Sequence, residues 1–433
     1  MKILDRTRDE IRLSSSIVEQ LAGRFALLRP PTSQSGDGSI PVDVKTTNGH
    51  LVLHGQRLEV FTAVPANDGR VLQIEDVLAQ STPIDARKLV LLLLCGGLSF
   101  RSEGKVHPLR TVKDPGTGQE CTLLDRQLNR LASSPLGPAS CVIVGTPLNE
   151  DALRNHLQKN QSLKQPRLLV GGMAPRLLPV QKATGPPMVY RDASRQISYN
   201  PLGHLEALRW LVLSGMLAHF VEHKVILSVS YSNWGPIFSE TTAAVAGFVA
   251  ANAQSHPDTL FFVEVTPRSK ETQSGSFLVA PIDRLEPMHL VKYIYGQGAF
   301  AVPPGDGVLV STNTIYFSVQ NLMSRLQGAA ATTSLSDSRG ALIQLLWDAA
   351  ARRRRDQLAN LFDVAFPVEP HLIPDRGDGS ALFLRVERDL DQLSLIPGST
   401  LMQAVEVPAN RGVFLKLPSD FDDPNKRTFL FAS

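Results

Sequence analysis

The chain has 433 residues, 43% of them hydrophobic and 20% charged, which excludes a lone small module and wholesale disorder and leaves room for roughly two to three domains or one large α/β domain with additions. With 44 Lys and Arg against 41 Asp and Glu, a formal net charge of +3, there is no basic surplus to neutralise a phosphate backbone, so nucleic acid is not an expected partner. Cys95, Cys121 and Cys141 cannot all pair within the chain and show no CxxC spacing, the charged start lacks an apolar signal core, and no apolar run nears the ~20 residues of a membrane span; reduced thiols, a cytoplasmic location and no membrane partner are expected.

In chain order, Ile11, Leu13, Ile17, Leu21 and Phe25 predict a helix within residues 1 to about 30, halted at Pro30-Pro31. Thr32 to Ile40 reads as a loop, and His50 to His54 and Leu58 to Ala63 as hairpin material. From Lys88 onward strand-like and helix-like runs alternate. The strands are Leu89 to Cys95, Cys141 to Gly145, Val225 to Val229 and Leu260 to Val265; the helices are Leu123 to Ala132, Asp151 to Lys159, Leu205 to His219 and Thr242 to Ala253. Continuous apolar strands separated by helices predict an α/β fold with a mainly parallel sheet covered on both faces. Such sheets bind ligands outside the carboxyl ends of their strands, which directs attention to the loops after Cys95, Val229 and Val265. A helix from Ala341 to Leu361 carries the run Arg352 to Arg355, read as a solvated helix end. The tail shows strand-like stretches at Gly412 to Leu417 and Thr428 to Ala432.

The first motif with chemical content is the turn after the first core strand. Gly96 and Gly97 let backbone approach a ligand and present N–H groups to phosphate, with Arg101 and Lys105 as cationic donors just beyond. The turn matches neither a Walker loop nor GxGxxG.

Lys88-Leu-Val through Gly96-Gly97-Leu98 resembles the KLVVVKLNGGLG start of the UDP-glucose pyrophosphorylase family. The resemblance continues in order through Thr122-Leu-Leu-Asp125, Val142 to Asp151, Gln161 with Pro166-Arg167, and Pro201-Leu-Gly-His204 with Ser214-Gly215 at the family spacing. It then runs through Asn233-Trp-Gly235, Val263-Glu-Val-Thr266 with Ser274-Gly275, Ser311-Thr-Asn313, Ile343-Gln-Leu345 and Ile373-Pro374 before Arg376.

The resemblance implies a Rossmann-like, GT-A-like nucleotidyltransferase core at 85–330, between an N-terminal segment, 1–84, and a C-terminal region, 331–433, that contributes Arg376. It implies transfer between a nucleoside triphosphate and a sugar 1-phosphate with release of pyrophosphate, a reaction that needs positioning and charge neutralisation more than covalent help. Gly96, Gly97, Gln161, Gly203 and His204 then fall where the family holds the nucleotide. Asn233, Glu264, Gly275, Thr312 and Asn313 fall where it holds the sugar, and Arg101, Lys105 and Arg376 on the phosphates. Plainer readings exist: a capping or core histidine at 204, a strand-end carboxylate paired with Arg268 at 264, and turn residues at 312 and 313.

The departures from the pattern are as specific. Ser99-Phe100 stands where the family's loop keeps a glycine, His107-Pro108 where it has a phosphate-binding lysine, and Leu205-Glu206 where it has Gly-Asp. The family's magnesium-binding aspartate falls on Ser232 and the asparagine before it on Ser230; a hydroxyl does not replace a carboxylate in holding Mg2+, which would need Glu206 or Asp283 instead. The short stretch after Arg376 shows no repeat, so the family's terminal β-helix is expected to be missing, and with it the usual guide to assembly; a monomer or homodimer is expected. These substitutions fit an active transferase with another partner pair: UTP by resemblance, or GTP, with a sugar or a cyclitol 1-phosphate of a specialised pathway. They also fit a nucleotide- or sugar-phosphate-binding regulatory protein that has lost catalysis. An interaction scaffold using the arginine run ranks last.

Overall fold

The structure, a computed structural model, describes residues 5–7, 10–14, 39–45, 50–53, 56–57, 61–95, 107–159, 166–176, 189, 195, 197–231, 234–235, 240–255, 261–268, 276–281, 288–292, 307–322, 348, 352, 354, 357, 360–362, 369–374, 382–388, 402–408, 411, 413–415 and 418–431. Its centre is an 11-stranded sheet. In chain order the strands are β1 (Phe61–Ala63), β2 (Leu72–Gln73), β3 (Leu89–Leu94), β4 (Ser140–Gly145), β5 (Arg167–Val170), β6 (Ile226–Tyr231), β7 (Phe261–Pro267), β8 (Ser276–Pro281), β9 (His289–Lys292), β10 (Leu309–Ser318) and β11 (Met402–Glu406). The spatial order is β5-β4-β3-β6-β10-β7-β11-β2, with β8 joining β10 to β9 and β1. All neighbours along that row are parallel except that β10 runs antiparallel to both β6 and β7.

Every residue of Leu89–Leu94 is buried, because the strand lies mid-sheet with apolar layers on both sides. Val90, Leu92, Leu227, Val263 and Val265 face one layer with Leu205, Leu208 and Leu211. Leu89, Leu91, Leu93, Phe262 and Tyr316 face the other with Leu124, Leu128, Val245 and Val249. The expected mainly parallel α/β core is therefore present. Its sheet also takes β1 and β2 from residues before 85 and β11 from residues after 330.

The helices with described bounds are α1 (Ile74–Gln80), α2 (Leu123–Ser133), α3 (Glu150–Lys159), α4 (Glu206–Leu213), α5 (Met216–Glu222), α6 (Glu240–Ser255) and α7 (Pro424–Phe431). The Thr122-Leu-Leu-Asp125 motif is the capping box of α2: the Thr122 hydroxyl accepts from the Asp125 amide at 3.0 Å, and Asp125 reaches back to the Thr122 amide at 3.3 Å.

Five expectations are corrected. Asp5–Thr7 and Glu10–Ser14 are antiparallel strands, not a helical start; Ile11 and Leu13 alternate with polar neighbours at period two, and the helical spacing rested on residues from Ile17 onward, outside the described residues. Ser39 and Ile40 belong to the strand Ser39–Lys45, not to a loop. Leu205 to His219 is two helices, because Gly215 adopts a left-handed φ of 79° that breaks the run. Thr428 onward is helical: Pro424 opens α7 at the position where a missing N–H costs nothing, and the Asp423 carboxylate caps the Asn425 amide at 2.8 Å. Of the arginine run, Arg352 and Arg354 are exposed as expected, but Arg352 sits in a turn and Arg354 in no regular element, so the expected unbroken helix from Ala341 to Leu361 is interrupted there.

Candidate functional site

The carboxyl ends of β3, β4, β5 and β6 lie along one edge of the sheet. The loops that leave this edge are tied to one another by main-chain bonds. The Cys95 amide donates to the Val144 carbonyl at 2.8 Å and the Gly171 amide to the Gly145 carbonyl at 2.8 Å. Asn149, buried at the entrance to α3, donates from its amide to the Cys95 carbonyl at 2.7 Å and accepts from the Thr146 amide at 2.7 Å. It thereby fixes the carbonyl that immediately precedes Gly96. Gly145 makes room for it, since a Cβ there would stand 2.9 Å from the Asn149 side-chain oxygen. The sequence reading passed over Asn149; its signal was an asparagine directly ahead of an acidic first helical turn, Glu150-Asp151.

Gly203 and His204 form the second wall. Gly203 has φ 96°, and a Cβ there would stand 2.6 Å from the Arg388 amide nitrogen and closer still to its carbonyl oxygen. The Arg388 backbone clamps this loop: its amide donates to the Leu202 carbonyl at 2.6 Å and its carbonyl accepts from the Leu205 amide at 2.9 Å. His204 is half-buried, and its carbonyl accepts from the Ala207 amide at 3.2 Å. Glu206 is 3% exposed and held by two guanidinium groups: Arg388 at 3.0 Å and Arg209 at 3.1 Å. Gly172 packs against it: a Cβ there would stand 2.9 Å from the Glu206 Oε1 atom.

Glu264 stands mid-strand on β7, fully enclosed, between Val263 and Val265, which face the Leu205 layer. Strand alternation sends its carboxylate to the other face, under α6. There Oε1 accepts from the Tyr316 hydroxyl at 2.7 Å and from Arg411 Nη2 at 3.2 Å, and the same Arg411 nitrogen donates to Thr242 Oγ1 at 2.8 Å. Oε2 is buried without a hydrogen-bond partner among the described residues. Burial, reinforced by Glu264, pushes the Tyr316 phenol well above its ordinary value. Burial disfavours the Arg411 charge, but Glu264 and Tyr316 more than offset it and raise its affinity for the proton.

Opposite Glu264 the ladder slips. Val263 pairs with Ile315 but Val265 pairs with Ser311, so Thr312, Asn313 and Thr314 face one residue of β7. This is a β-bulge, with Asn313 in the left-handed region at φ 65°. Thr312 donates to the Glu264 carbonyl at 3.3 Å, and Ser230, at the end of β6, donates to Thr314 Oγ1 at 3.2 Å. Thr312 and Asn313 are therefore bulge residues within a strand, a placement the plainer turn reading did not include. The structure joins Glu264, Thr312 and Asn313 in one bulge and Gly203 with His204 in one loop. Gly96, Gly97, Arg101, Lys105, Gln161, Ser232, Asn233, Gly275, Asp283 and Arg376 lie outside the described residues. Asn233 directly precedes Trp234–Gly235, a short strand paired with Val413–Phe414.

Of the two carboxylates expected to serve Mg2+, Glu206 is paired with Arg388 and Arg209, and Asp283 lies outside the described residues. Among the described residues no helix is long and apolar enough to cross a membrane.

No known family profile and no curated protein matches the sequence. Solved structures do match the fold. A mutant UDP-glucose pyrophosphorylase from Leishmania major, in complex with UDP-glucose, superposes with a TM-score of 0.54 at 18% identity, covering 83% of this chain and 69% of that one. The Trypanosoma brucei UDP-glucose phosphorylase gives 0.53 at 18%, covering 83% and 68%. At such identities the likeness speaks to architecture: the chain has the mixed α/β, mostly parallel fold of the UDP-glucose pyrophosphorylase nucleotidyltransferases.

Proposed function

We propose that the chain is a nucleotidyltransferase that joins a sugar 1-phosphate, or a sugar-like cyclitol 1-phosphate, to a nucleoside triphosphate and releases pyrophosphate. The observation that supports the reading is the tied carboxyl edge of the sheet: the Asn149 amide fixes the Cys95 carbonyl directly ahead of Gly96-Gly97, and the Gly171 amide bonds the Gly145 carbonyl of the next strand at 2.8 Å. A double-glycine turn at that place offers main-chain N–H groups to phosphates with no side chain in the way. A phosphate oxygen of the sugar 1-phosphate attacks the α-phosphorus, the new P–O bond forms, and the bond to the β-phosphate breaks with pyrophosphate as leaving group. Arg101, Lys105 and Arg376 neutralise the charge that accumulates, Gln161, Gly203 and His204 hold the base, and Asn233, Gly275, Thr312 and Asn313 hold the sugar. Glu264 supports the sugar side by fixing the bulge that carries Thr312 and Asn313. The magnesium expected from the resemblance would draw its carboxylate from Asp283.

A second reading, a binding or regulatory protein without turnover, is favoured by one observation: the buried carboxylate of Glu206, beside the Gly203-His204 loop, is committed to Arg388 and Arg209. One experiment separates the two. Purified protein is incubated with each nucleoside triphosphate, a panel of sugar and cyclitol 1-phosphates and Mg2+, and pyrophosphate is followed alongside calorimetric nucleotide binding. Release with one pair supports the enzyme. Binding without release selects the regulatory reading, and neither signal overturns both.

A further inference from the structure

The opposite edge of the sheet, where β3, β4, β5 and β6 begin, carries a group that this function does not use. His219 and His223 are four residues apart, one helical turn, and lie on the same side of α5 and its C-cap. Their ring centroids are 4.2 Å apart at an interplanar angle of 63°. Glu222 joins them: one ligand atom from each of the three residues lies within 4.8 Å of the other two, and all three residues are exposed. Among the described residues their side chains enter no hydrogen bond or ion pair, so nothing competes for the imidazole nitrogens or the carboxylate. Both imidazoles also line a cleft of about 520 Å3 walled by Lys88, Val90, Cys141 and Arg167.

From this we infer a binding site for a divalent transition metal ion of the zinc type, held by His219, Glu222 and His223. Two imidazoles and one carboxylate are the donors that suit Zn2+, Co2+, Ni2+ or Cu2+, in contrast to the all-oxygen shells of Mg2+ and Ca2+. Three protein ligands leave at least one position for water, and the cleft gives that position access to solvent. Because the residues are already exposed, binding does not require a buried site to open. A bound ion would also tie His219 to His223 across the last turn of α5, where the His223 amide bonds the His219 carbonyl at 3.2 Å.

The test uses the full chain. ZnCl2 is titrated calorimetrically into wild type, His219→Ala/His223→Ala and Glu222→Gln, with CoCl2 absorption spectra as a second readout. Loss of even an indirect partner of a metal typically costs about 10- to 100-fold in affinity. The double variant is therefore expected to lose at least about tenfold in zinc affinity at one site, together with the cobalt ligand-field bands. Glu222→Gln should lose less, and a large excess of MgCl2 should not displace the zinc. Circular dichroism checks that the variants, changed only at exposed positions, keep the fold. Equal zinc affinity and equal cobalt spectra in wild type and double variant, or no zinc binding by wild type, would overturn the site. Neither result depends on nucleotide turnover.

Discussion

Arg388 and Glu206 are 182 positions apart in the sequence, yet Nη1 of one donates to Oε2 of the other at 3.0 Å in a contact closed to solvent. The pair locks the start of α4 to the strand Leu382–Glu387 and so holds the Gly203-His204 loop from behind. Arg388→Ala leaves a buried carboxylate with Arg209 alone. We expect a loss of about 3 kcal/mol, the lower end for a broken buried ion pair, read as a lower urea midpoint at neutral pH. An unchanged midpoint would show the pair to be energetically neutral.

Gly203→Ala tests the backbone rather than the charge. A left-handed φ and the Arg388 main chain both oppose a Cβ, so we expect a cost of about 1–3 kcal/mol and weaker nucleotide binding than in Gly307→Ala. Position 307 also has a positive φ, 80°, but open space around it.

Tyr316 and Arg411 share one oxygen of Glu264. Tyr316→Phe should cost about 1–2 kcal/mol, the loss of a hydrogen bond to a charged group, and Arg411→Ala about 3–5 kcal/mol. The pH sign follows from the raised phenol. Once pH passes about 10, the unfolded chain gives up this proton while the folded chain retains it. The phenol's contribution is therefore whole below that pH and shrinks as pH rises further. Stability profiles in alkali should fall less steeply for Tyr316→Phe; identical slopes would contradict the assignment.

The thiols differ in reach. Burial pushes the Cys141 thiol up to about 12 and raises that of Cys121, which is only half-buried. Iodoacetamide at pH 8 should label Cys121 first and leave Cys95 and Cys141 untouched until denaturant is added, as peptide mass spectrometry would read.

Arg376→Ala should depress turnover in whichever substrate pair is active, with little change in melting temperature. Arg354→Ala, at an exposed position, should leave both unchanged. Equal turnover in the two variants would remove Arg376 from the phosphate site.

The parallel core was legible because Leu89–Leu94 is a continuous apolar run and Phe261–Val265 is apolar but for Glu264, and helices such as Leu123–Ser133 announce their own caps. Gly203 was legible as part of a motif, although its partner was not. The pairings of Glu206 with Arg388 and of Glu264 with Arg411 join residues far apart in the chain, and no local pattern foretells them. The bulge at Asn313 escaped for another reason: Ser311-Thr-Asn313 has turn composition, yet tertiary pairing keeps it within a strand. The first strands were misread because a helical period was drawn across residues that do not share one element.

The position of β11 has a consequence for the order in which the protein takes shape. Among the described residues β2, made early, joins the sheet by pairing with β11, and β11 is flanked on its other side by β7. Until residues 402–411 have left the ribosome, β7 keeps an open edge and Glu264 lacks its arginine. The half of the sheet that bears Glu264 is thus completed last, whereas β3, β4, β5 and β6 are all synthesised within residues 89–231 and can assemble while translation continues.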